Sequence, residues 1–304
     1  MVVGFRHVVY KISNGIGDMV AVLLSIIAST ALNMVGGFVA ANYTYNISFT
    51  LLLVESLKLL LCSIGMRSIS NNTHFQIRWE FIVNALLYSI VNVLTHHINR
   101  VVPSALYSVL IQHRILWVVV FSLIFLNQQY SNMQYMSLLL VLSGCILLKM
   151  TDTSTTSTTS VTNDGLRLIV LQGICSSLSS VWIEKTMKRE ERPAISEDAK
   201  KQQLYWYLYD SFQMYMFGIP IYIVSNYTTE VTTVNIPLHW SCLMVVLHAI
   251  NGLFIGAMFV YYSSVMQSVA AAVVIVLLAI EHGVYTWNIV VGIVLVLMGA
   301  AGLS

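Results

Sequence analysis

Apolar residues in this chain come in blocks of about 20, and polar residues collect in the short gaps between the blocks. A bilayer core of roughly 30 Å needs about 20 residues of helix at about 1.5 Å per residue, so each block reads as a spanning helix. The pattern predicts ten spans, at 19–41, 47–66, 79–98, 103–126, 133–150, 165–187, 203–225, 238–260, 262–280 and 284–303. The ninth is short and ends at Glu281, His282 and Gly283.

The gaps divide the chain. A Ser/Thr run at 151–162, TDTSTTSTTSVT, has the composition of a flexible connector. It separates a first half of five spans (1–150) from a second half of five (165–304), with the connector taken as 151–164. Five is odd, so a duplicated half would enter the membrane inverted relative to its mate, which is a transporter architecture. Leu140-Val-Leu-Ser-Gly144 in the fifth span matches Leu295-Val-Leu-Met-Gly299 in the tenth. The expected fold is therefore all-α: ten transmembrane helices in two inverted five-helix repeats.

Composition agrees with the pattern. With 57% hydrophobic and 9% charged residues and a mean hydropathy of +0.77, the chain has too little polar surface for a water-soluble globule. A net charge of +2 gives no case for a nucleic-acid partner. Cys62, Cys145, Cys175 and Cys242 all fall in apolar runs and read as small core residues. Basic residues fall mostly on one side of the ten spans: Arg6, Lys11, Arg67, Arg78, and a cluster from Lys185 to Lys201. The other side has Arg100, Lys149 and Arg167, so the positive-inside rule makes the first side, with both termini, cytoplasmic. Nothing near Arg6, His7 and Lys11 reads as a cleaved signal. Glycosylation triplets at Asn42, Asn46 and Asn226 lie on the opposite face, whereas one at Asn71 does not. The segment Glu184–Lys201, with six basic and five acidic residues, reads as a solvated loop.

Polar residues inside the spans carry the candidate chemistry. In Leu110–Val119, LIQHRILWVV, three polar residues interrupt a greasy run. Arg114 lies near the midplane, where insertion of an arginine costs about 2.5 to 3.5 kcal/mol. It must face a protein interior or a water-filled cavity, and its fork of donors suits an anionic ligand. An internal ion pair with Glu55 or Asp210 accounts for it equally well. Glu55 and Lys58 are three apart, on one helical face; Tyr88 and Asn92, four apart, form another polar stripe. Tyr107 lies two turns from Arg114, and Gln112 points elsewhere on the same helix. His96, His97 and His113 have no acidic cluster beside them, so neither a metal nor a cofactor is expected. The spans also hold no strained nucleophile, zinc spacing or carboxylate pair, which argues against an enzyme.

These residues resemble a family. Ala105-Leu-Tyr-Ser-Val-Leu-Ile-Gln-His-Arg-Ile115 is similar to the AxYQVTYQLKI motif of the nucleotide-sugar transporters for CMP-sialic acid, UDP-galactose and UDP-N-acetylglucosamine, within the drug/metabolite transporter superfamily. Glu55-Ser-Leu-Lys58, Tyr88 with Asn92, Ile183-Glu-Lys185 and Gln213-Met-Tyr215 resemble further motifs of that group, in the same order. The resemblance implies exchange of a cytosolic nucleotide sugar, with a UDP-sugar first in expectation, for a lumenal nucleoside monophosphate across the Golgi or ER membrane. It implies a central site containing Glu55, Lys58, Tyr88, Asn92, Tyr107, Gln112, Arg114, Ser211, Tyr215 and Tyr261. Lipid and a second copy of the chain complete the expected partners. The second half departs from the pattern. Val260-Tyr-Tyr-Ser-Ser-Val-Met-Gln-Ser268 stands where the family carries two lysines and an Asp-Asn pair, and Asp210-Ser211 stands where it carries Arg-Asn. Two other readings therefore remain: a carrier of a smaller organic anion, and a non-transporting membrane scaffold that keeps the fold.

Overall fold

The computed structural model describes residues 22–39, 42–69, 76–102, 107, 110–150, 163–188, 199–228, 235–281 and 287–301. The Ser/Thr connector and the Asn71 triplet lie outside them, as do the side chains of His96, His97, Asn226 and Tyr261.

Ten helices are present among the described residues: α1 Val22–Val39, α2 Ile47–Ile69, α3 Glu80–Val101, α4 Arg114–Phe125, α5 Asn132–Met150, α6 Asn163–Met187, α7 Ala199–Thr228, α8 Leu238–Tyr261, α9 Ser264–Glu281 and α10 Trp287–Ala301. Each coincides with one expected block. By length and composition, α1, α2, α6 and α8 are long and apolar enough to cross a bilayer. Shorter apolar stretches lie in α3, α4, α5, α9 and α10. The fourth block differs most from expectation: a 3-10 turn at Ile111–His113 precedes α4, so regular α-helix starts only at Arg114.

The bundle is held by helices packed across the two halves of the chain. α2 lies along α7 and α8, α3 along α6 and α7, α4 along α6 and α9, and α5 along α10. α1 joins α8 through Ser29, whose hydroxyl donates to Asn251 Oδ1 at 2.6 Å, and through the Phe38 and Trp240 rings, 4.9 Å apart. The largest apolar core gathers Ile115 and Val118 of α4, Val141 and Cys145 of α5, Val269 and Val276 of α9, and Val296 of α10. Leu60, Ile64, Leu139, Leu243 and Leu297 face outward, an apolar exterior that suits lipid rather than water. The cysteines divide accordingly: Cys62 and Cys145 are buried, Cys175 is half-buried, and Cys242 faces out of the bundle rather than into a core.

The α5–α10 seam is reciprocal. A Cβ on Gly144 would lie 2.9 Å from the backbone nitrogen of Val296, and one on Gly299 would lie 2.9 Å from that of Val141. Gly144 also abuts the Gly292 carbonyl and Gly299 the Ser137 carbonyl. Numbers that rise on α5 meet numbers that fall on α10, so the two helices run antiparallel with their small residues facing. Close backbone approach of this kind is what small residues supply between membrane helices.

Candidate functional site

The site begins on α2, whose buried stripe of Val54, Glu55, Lys58, Cys62 and Met66 follows helical spacing. Glu55 Oε1 and Lys58 Nζ meet at 2.5 Å, both nearly sealed from solvent. Glycines of two neighbouring helices face the pair, and only the one on α8 is at a tight approach. A Cβ on Gly218 of α7 would stand 3.7 Å from Glu55 Oε2, and one on Gly252 of α8 would stand 3.2 Å from Lys58 Cδ. The Lys58 ammonium also sits 4.2 Å from the centre of the Tyr215 ring, a cation–π contact in a dry setting.

A cavity of about 490 Å³, counting its mouth, opens beside this cluster. Glu55, Lys58, Tyr88, Tyr215 and Tyr222 give it polar walls, while Ile183, Met214 and Phe259 form an apolar end. The Tyr215 hydroxyl is buried and has no hydrogen-bond partner among the described residues, so it can serve a ligand. Tyr222 accepts a hydrogen bond from Asn92 Nδ2, which ties the Tyr88–Asn92 stripe of α3 to α7.

Arg114 stands behind Tyr88. Tyr88 lies within electrostatic reach of both Glu55 and Arg114, and the Arg114 guanidinium is within reach of Tyr107, Tyr88 and Cys145. Neither acid that could have paired with it does so. Glu55 is bound by Lys58, and Asp210 Oδ1 receives Arg78 Nη1 at 3.1 Å. Among the described residues no carboxylate answers Arg114. Its backbone is fixed from α6: the Ser177 hydroxyl donates to the Arg114 carbonyl at 2.8 Å. One residue earlier, His113 donates from Nδ1 to the Leu110 carbonyl at 2.6 Å, and its ring packs on Gly173.

Thus Glu55, Lys58, Tyr88 and Tyr215 line the cavity, and Asn92 reaches it through Tyr222. Tyr107, Gln112 and Arg114 do not line it: Arg114 is within electrostatic reach of the lining residue Tyr88 and of Tyr107, and Gln112 is buried in the 3-10 turn. Ser211 is fully buried on α7, one turn before Tyr215, and is not a lining residue. Sequence reading missed Gln172 of α6, whose Nε2 donates to Thr95 Oγ1 at 2.5 Å and to the Tyr107 hydroxyl at 2.8 Å. A glutamine in the middle of a span was the available signal. Gly218 and Gly252 gave none, because glycine is common in membrane helices.

A comparison with curated protein sequences gives no match. A solved crystal structure aligns with a TM-score of 0.69 over 95% of this chain and 96% of that one, at 12% identity, which shows a shared fold. The profile described as nucleotide-sugar transporter matches residues 18–303, nearly the whole chain. The apolar helices and that match together make this chain a multi-pass membrane protein belonging to the nucleotide-sugar transporter family.

Proposed function

We propose that this protein is an antiporter that exchanges a cytosolic nucleotide sugar, a UDP-sugar in the first instance, for a lumenal nucleoside monophosphate across the Golgi or ER membrane. The observation that carries the reading is Arg114, a cation deep in the bundle with no carboxylate on it, in a family of nucleotide-sugar carriers. Glu55 neutralises Lys58, so Arg114 leaves this polar region one positive charge in excess. A phosphate or diphosphate supplies the opposite charge and matches the guanidinium fork. Tyr88, Tyr107 and Tyr215 offer ring faces and hydroxyls for base and sugar. Both chain ends are cytoplasmic in this reading, and two copies pair in the membrane.

Alternating access needs two halves that can exchange roles, and the helix packing supports an inverted repeat. Shifting residue numbers by 155 carries Gly144, Val141 and Ser137 onto Gly299, Val296 and Gly292, and the α5–α10 contacts map onto themselves. The partnerships α2–α7 and α4–α9 also map onto themselves under exchange of halves, while α3–α7 maps onto α2–α8. This is the relation expected of repeats that rock about a midplane site.

The test is exchange in vesicles preloaded with UMP, CMP, GMP or AMP. Labelled nucleotide sugar should enter against its cognate monophosphate alone. Exchange of a smaller organic anion instead would favour the second reading, which draws on the Tyr262–Ser264 link, where no lysine contributes to the site. Absence of any exchange by folded protein would leave the scaffold reading.

A further inference from the structure

Two polar networks lie behind the apolar end of the cavity, at the end of the bundle that the basic residues mark as cytoplasmic. In the first, Arg78, just ahead of α3, donates from Nη1 to Asp210 Oδ1 of α7 at 3.1 Å. Its Nη2 donates to Glu80 Oε2 at 2.8 Å and to the Thr186 carbonyl at 3.1 Å, at the end of α6 where the helix dipole favours a cation. Its backbone N–H donates to Gln213 Oε1 at 2.7 Å, and its guanidinium lies 5.0 Å from the centre of the Phe81 ring. In the second network, Glu184 of α6 is fully buried. It accepts from Lys188 Nζ at 2.8 Å, from the Ser264 N–H that opens α9 at 2.7 Å, and from Gln128 Nε2 at 3.2 Å.

The two networks differ in what they join. Glu184 takes Lys188 and Ser264 from its own half, and Lys188 also donates to the Tyr262 carbonyl; across the halves it receives the neutral Gln128 Nε2 at the longer distance of 3.2 Å. Arg78 has its firmest interhelical contacts across the halves, on α6 and α7. Between this network and the ligand space lie Ile183, Met214 and Phe259, packed with Met187 into one apolar cluster. The Arg78 side chain is 20% exposed and that of Asp210 is 1% exposed, so water reaches one partner and stops at the other. Separating them at this end would hydrate both charges rather than strand them in lipid, and the bond is therefore releasable.

We propose that Arg78 and Asp210 form the releasable latch of the cytoplasmic gate: joined, they hold the Ile183–Met214–Phe259 floor shut, and they part when the cavity opens to the cytosol. Asp210 is on this account a gate residue rather than a ligand contact. The proposal rests on the transport reading. Its test measures accessibility rather than transport. A cysteine placed at the floor, Ile183→Cys, is labelled by a membrane-impermeant maleimide added from the cytoplasmic side of reconstituted full-length protein. Labelling is read as the increment over the same protein with Ile183 intact.

Asp210→Asn and Arg78→Gln should each speed labelling on the order of tenfold by shifting the population towards the open state. The double variant should be no faster than Arg78→Gln alone, because the Arg78–Asp210 bond is already lost in that single variant. Arg78→Lys, which keeps the charge and changes the geometry, should fall between, and it serves if Asp210→Asn does not fold. UMP should shift the melting temperature as in the parent, since neither residue touches the ligand. Unchanged labelling in folded variants, or single effects that multiply in the double, would overturn the latch. A labelling response intact in a protein that exchanges no nucleotide would uphold the latch and overturn the transport reading instead.

Discussion

Lys58 is surrounded by a carboxylate, a ring face and a glycine, three neighbours that each limit where its charge can go. Removing one partner of a buried pair leaves the other uncompensated and costs about 3–5 kcal/mol. Glu55→Gln should therefore lower the melting temperature in detergent sharply, and adding Lys58→Met should recover most of the loss. Arg114 behaves differently because no acid depends on it. Arg114→Ala should abolish exchange while the protein still folds and reaches its membrane, as checked by melting and by fractionation; a misfolded Arg114→Ala would instead mean that the charge holds the bundle together. The sequence showed that Arg114 lies in mid-span and that Glu55 and Lys58 share a face. It could not show which cation each acid takes, since Arg78 and Asp210 are 132 residues apart and meet only through the packing of α7 beside α3.

At the level of helices, all ten blocks of the hydrophobic pattern have become helices, because block length and apolarity are local properties that a bilayer turns directly into structure. The 3-10 turn at Ile111–His113 was not legible, since no glycine or proline marks it from within. Its support comes from α6: the Ser177 hydroxyl on the Arg114 carbonyl, and Gly173 beneath the His113 ring. Irregular backbone at membrane depth is tolerated where neighbouring protein covers it. The reciprocal α5–α10 seam was partly legible, as the LVLSG and LVLMG strings. Gly144→Ala and Gly299→Ala each press a methyl into the partner helix, and overpacking of this kind costs about 1–3 kcal/mol. Because the contacts are reciprocal, the two losses measured by thermal unfolding should be equal within error.

For the whole molecule, the proposed antiport makes a prediction about charge. A UDP-sugar carries two negative charges, and a nucleoside monophosphate well above the second phosphate pKa of about 6 carries nearly the same. One-for-one exchange then moves no net charge, so clamping the membrane potential in vesicles at pH 7.5 should leave the initial rate unchanged. A rate that follows the potential would mean unequal charges or an uncoupled substrate. The distribution of basic residues likewise predicts that epitopes at either end of the chain are reached by antibody when the plasma membrane alone is opened, and that they stay accessible with the organelle sealed. The all-helical membrane fold is written in composition and periodicity. The identity of the ligand is not, because base and sugar are read by side chains whose meeting depends on helices distant in sequence.

The α5–α10 seam bears on assembly as well as symmetry. Since α2–α7, α3–α6 and α5–α10 are each made between the two halves, the halves recognise one another by surface and not merely by being tied together. A gene cut between Met150 and Asn163 should still yield exchange when both pieces are made in the same cell, and neither piece alone should accumulate, each left with an unmated glycine face.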